Sequence, residues 1–148
     1  MMRTKSNGRL GTLAAAGILA ILGGTASGTQ TGAVATGAHA NEPFCKAIIK
    51  QAELLGLFMK ANPADVTTRT KYFSDQKALN ATLSKTAPAS LEGDVALQTR
   101  NANASFDAQL ARDPARMKAT VGPLRSPEHL AASRKMTEYC GVKVEGAK

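Results

Sequence analysis

At 148 residues the chain has room for one domain and one core rather than two. Aromatic residues make up only 4% and Trp is absent, which predicts a thin Ala/Leu/Val/Met core that a crosslink would help. The net charge of +8 is spread along the sequence and is not interleaved with stacking aromatics, which argues against nucleic-acid binding.

The first forty residues read as an export leader. Arg3, Lys5 and Arg9 form a basic start, and Leu10 to Leu22 is an apolar run. That run is shorter than the roughly 20 apolar residues of a transmembrane helix, so no stable membrane span is expected after cleavage. Leader peptidases take small residues at −3 and −1, which leaves cuts after Ala26, Ala35 and Ala40. The change of composition at Asn41-Glu42-Pro43 favours the cut after Ala40. The leader would carry off three cations, leaving 16 Lys/Arg against 11 Asp/Glu, a net of +5. Cys45 follows Glu42-Pro43-Phe44 and lacks the small-residue context of a lipid-anchored cysteine.

Residues 41–148 then read as one helical domain with a frayed tail from about Val142. Helical spacing places Cys45, Ile48, Ile49, Ala52, Leu55 and Met59 inside a first helix, from about Pro43 to Ala61. Asn62-Pro63 ends it. A second helix spans about Asp65 to Thr86, with Val66, Phe73, Leu79 and Leu83 inward, although its β-branched start is poor in helix propensity. A third reaches about Arg112, with Leu91, Val95, Ala102, Phe106 and Leu110 as its stripe. Asp113-Pro114 opens a short helical piece carrying Met117 and Val121, closed by Gly122-Pro123. The last helix has the strongest start, with Ser126 as N-cap, Pro127 at N1 and Glu128 in the first turn. Gly141 is placed to stop it.

Four main helices with short connections predict an all-α, antiparallel four-helix bundle. Such a bundle brings the start of the first helix and the end of the last to one end. Cys45 and Cys140 occupy those positions, so the expectation is a bundle closed by one structural disulfide. Their wide separation argues against a redox-active pair, which needs close spacing and a lowered thiol pKa.

Catalytic motifs are missing from this sequence. No serine sits in a Gly-x-Ser-x-Gly elbow, and no Gly-rich phosphate loop is present. His129 is the lone histidine after the expected cut, and with both cysteines committed too few ligands remain for zinc. His129 reads as a surface residue beside a cap. Binding is hinted at in two places. Arg112, Arg116, Lys118 and Arg125 form a basic patch, with Arg112 and Arg116 one turn apart on one face. Tyr72, Tyr139 and the methionines suit an apolar site, and a Tyr phenolate can ligate haem iron.

The layout resembles small exported helical proteins of high-GC Gram-positive bacteria, haemophore-like secreted proteins among them. The matching residues are Cys45 on an apolar helix, the helix exit Lys60-Ala61-Asn62-Pro63, and the closing Tyr139-Cys140-Gly141-Val142. The resemblance implies haem held between helices, but no haem-ligand motif carries over residue by residue; Tyr72, Tyr139 and His129 are the candidate ligands this sequence itself offers. The leading expectation is a secreted, non-enzymatic binding module of the cell envelope, which needs no cofactor and meets an envelope protein or anionic polymer. The alternative is a haem or lipid carrier, and a third is a small secreted hydrolase or enzyme inhibitor.

Overall fold

The computed structural model describes residues 32–145. The basic start and apolar run of the leader, the cut after Ala26 and residues 146–148 lie outside the described residues. Chain order is β1 (Gly32–Ala35), α1 (Pro43–Lys60), α2 (Val66–Thr86), a 3-10 turn (Ala89–Leu91), α3 (Glu92–Ala111), α4 (Pro114–Arg125), α5 (Pro127–Tyr139) and β2 (Val142–Glu145).

The helix starts follow from their caps. The Asp65 carboxylate accepts from the Thr68 amide at 2.7 Å, which offsets the weak propensity of the β-branched first turns of α2. Asp113 accepts from the Arg116 amide at 3.1 Å and Ser126 Oγ from the His129 amide at 3.2 Å, each with proline at the first helical position.

The first three helices pack antiparallel in succession, with Phe58 against Tyr72 and Arg69 against Gln109 fixing the directions. Gln51 meets Asn80 between α1 and α2, and Asn80 meets Asn103 between α2 and α3. Asn101 meets His129 while Asp94 meets Lys135, so α3 and α5 run in opposite directions. α3 is the hub, touching α2, α4 and α5.

Two apolar clusters make the core. Phe44, Cys45, Ile48, Leu83, Leu91, Val95, Met136 and Cys140 fill the end holding the disulfide. Leu55, Phe58, Tyr72, Phe73, Ala102 and Phe106 fill the other. Buried amides join the helices as well. Gln51 Nε2 donates to Asn80 Oδ1 at 2.7 Å, Asn80 Nδ2 to Asn103 Oδ1 at 2.7 Å, and Gln76 Nε2 to the Gln51 carbonyl at 3.1 Å. Amides can be buried at tolerable cost only when they find such partners.

The structure bears out the mostly helical fold and the Cys45–Cys140 disulfide, whose Cα atoms are 5.4 Å apart. It corrects several details. Five α-helices, not four, are present among the described residues, and α4 continues through Gly122-Pro123 to Arg125. Pro123 has no amide to donate to the preceding turn, and its own carbonyl accepts from Ser126 and Asn101 where the helix ends. Val142–Glu145 is not frayed: it pairs antiparallel with Gly32–Ala35, Ala35 opposite Val142. Met59 and Val66 are exposed rather than inward. Phe58 takes the inner position of the last turn of α1, since three residues beyond Leu55 suits a helix face as well as four.

Candidate functional site

The three candidate ligand residues lie in three different places. Tyr72, on α2, is buried in the apolar cluster remote from the disulfide, its ring stacked on Phe58 at 4.1 Å. Burial pushes its phenol far above the usual range, so it stays protonated. Tyr139 ends α5 beside the disulfide. Its ring stacks on His39 at 4.0 Å and its hydroxyl donates to Glu42 Oε2 at 2.9 Å. Burial, then the bond to Glu42 and its charge, raise the Tyr139 phenol. His39 Nδ1 also bonds Glu42, so ring, carboxylate and phenol form one closed unit.

His129 is fully buried, which corrects its reading as a surface residue. The first turn of α5 is pressed onto α3, where His129 Nδ1 lies 3.3 Å from Asn101 Nδ2. The amide nitrogen can only donate, so Nδ1 accepts and the ring proton sits on Nε2. Burial lowers the His129 pKa, which keeps the ring neutral. A ligand shared by Tyr72, His129 and Tyr139 therefore has no common site. Among the described residues, no group of three or more His, Cys, Asp or Glu side chains is placed to hold a metal ion.

The basic residues are arranged differently. Arg112 caps the C-terminus of α3 in the left-handed conformation, φ 52°. The helix breaks there, so Arg112 and Arg116 do not share one helix face. Arg116, Lys118 and Arg125 are all exposed on α4, a helix with no acidic residue. Leu124 is its one buried side chain. At about 100° per residue, Ala115, Ala119 and Gly122 point away from Leu124, and all three are exposed. Arg116 flanks this small-residue face on one side, Lys118 and Arg125 on the other. Among the described residues, none of Arg112, Arg116, Lys118 and Arg125 is in an ion pair, whereas Lys50, Lys71, Lys77 and Lys135 each are.

Sequence reasoning found the cations but missed their frame. It also missed the unit of His39, Glu42 and Tyr139, because His39 fell in the segment read as leader. No family model, curated protein or solved structure matches this chain.

Proposed function

We propose that this chain is an exported, non-enzymatic binding module that lays α4 against an anionic polymer or protein of the cell envelope. The observation that carries this reading is the uncompensated charge of α4. Three exposed cations with no ion-pair partner among the described residues border a face of Ala and Gly that lets a flat surface approach closely. Arg112 extends the same charge to the end of α3. Free cations of this kind favour a polyanion through long-range attraction, and that attraction weakens with salt.

Co-sedimentation of the protein with purified anionic cell-wall polymer tests the reading. Salt shortens the screening length from about 10 Å at 0.1 M to about 3 Å at 1 M, so binding should fall steeply over that range. Changing Arg112, Arg116, Lys118 and Arg125 together to Gln should abolish binding while leaving the helical circular dichroism intact. Equal binding by this variant and the parent would sink the reading.

A further inference from the structure

We propose that the leader is cut after Ala26, upstream of Gly32, so that residues 32–42 stay with the exported domain as a clasp over the disulfide. The proposal rests on the export reading above, and on contacts that a cut after Ala35 or Ala40 would remove.

β1 is paired along its whole length with β2, and Ala35 packs against the core cluster that holds Cys45 and Cys140. Beyond the strand, the Thr36 amide and hydroxyl both donate to the Gly141 carbonyl, at 3.1 and 3.0 Å. The Gly37 backbone lies against Cys140 and Gly141. His39 then covers the face of Tyr139 and bonds Glu42. A cut after Ala35 takes the partner of β2 away. A cut after Ala40 takes the strand, the Thr36 and Gly37 contacts and the His39 ring together, and opens the side of the core next to Cys140.

An N-terminal segment paired in a sheet belongs to the folded unit rather than to a discarded leader. Ala26 meets the remaining requirement, with Gly24 at −3 and the apolar run ending four residues earlier at Leu22. The step is hydrolysis of the Ala26–Ser27 amide by a leader peptidase. Water adds across the bond, leaving a carboxylate on Ala26 and an ammonium on Ser27.

The test is intact-mass and N-terminal analysis of protein exported from an actinobacterial host that expresses the full chain. The expected N-terminus is Ser27, with the disulfide formed. An exported chain starting at Thr36 or Asn41 overturns this proposal and leaves the α4 reading standing. A chain retained in the cell with its first residues intact overturns both.

A second measurement compares chains made to start at Ser27 and at Asn41, each with the disulfide closed. Without the clasp, amide exchange at Val142–Val144 should speed up by at least about tenfold, as expected for a strand that has lost its partner. Equal protection in the two chains would show that residues 32–40 are not part of the domain.

Discussion

Gly37 and Gly141 meet backbone to backbone: a β-carbon built on Gly141 would lie 2.6 Å from the Gly37 amide nitrogen. Gly141 also sits at φ 59°, in the left-handed region that side chains resist. Both constraints act where the chain turns from α5 into β2. Gly141→Ala should therefore destabilise the protein by about 2 kcal/mol, combining backbone strain with loss of the close approach. Gly56 is the contrast, because it lies in the interior of α1 with nothing within 4 Å of an added β-carbon. Gly56→Ala should stabilise by about 0.5–1 kcal/mol. Urea denaturation of the two variants checks the opposite signs.

The disulfide should supply a large share of the stability. It closes a loop with a sequence separation of 95. Chain-entropy arguments put its contribution at about 4–5 kcal/mol, against a typical total of about 5–15 kcal/mol. The Cys45→Ala, Cys140→Ala double variant should thus unfold at much lower urea than the parent. Coincident denaturation curves would show that the crosslink adds nothing to the folded state.

Asn80 is the centre of the buried amide chain, since it both accepts from Gln51 and donates to Asn103. Asn80→Leu keeps the branched side-chain shape but strands one donor, Gln51 Nε2, and one acceptor, Asn103 Oδ1. We expect a loss of about 2–4 kcal/mol, from about 1–3 for each orphaned group reduced by the gain in apolar burial. Asn80→Asp should be as damaging near neutral pH, because it places a charge among the same amides.

Stability should fall in two steps on acidification. Burial holds the His129 pKa below its ordinary 6.5. The unfolded chain thus takes up the proton first, and the stability from His129 is complete above pH 6.5 and lost as the pH falls through the folded value. Hydrogen bonds from His39, then Tyr139, hold the Glu42 carboxyl below its ordinary 4.5. Its contribution is present above pH 4.5 and lost below it. Melting temperatures measured between about pH 8 and pH 3 should show both declines. His129→Gln should remove the upper one and spare the lower.

The helices were legible because proline punctuates the chain. Asn62-Pro63, Ala87-Pro88, Asp113-Pro114 and Ser126-Pro127 each mark a boundary that the structure respects within a few residues. The cysteine pairing was legible from topology. The strands were not, because Gly32–Ala35 and Val142–Glu145 are each four residues long and pair across nearly the whole chain. His129 and the amides Gln51, Gln76 and Asn80 were misplaced or passed over for a different reason. Polar residues on a helix read as solvent-facing, and only the partners across the interface reveal their burial. The candidate site was legible as a list of cations. The break at Arg112, which divides them between two helices, depends on backbone geometry that composition does not encode.

Placing the crosslink at the two extremes of the domain has a consequence for biogenesis. Synthesis is vectorial, so Cys45 appears 95 positions ahead of the only other cysteine in the chain. Throughout that interval its thiol can pair only with another molecule. The native bond becomes available only when the final helix arrives, and by then every intervening helix has been delivered. Oxidation is thus a completion step for this molecule, and a chain truncated between Cys45 and Cys140 keeps a thiol with no partner in its own sequence.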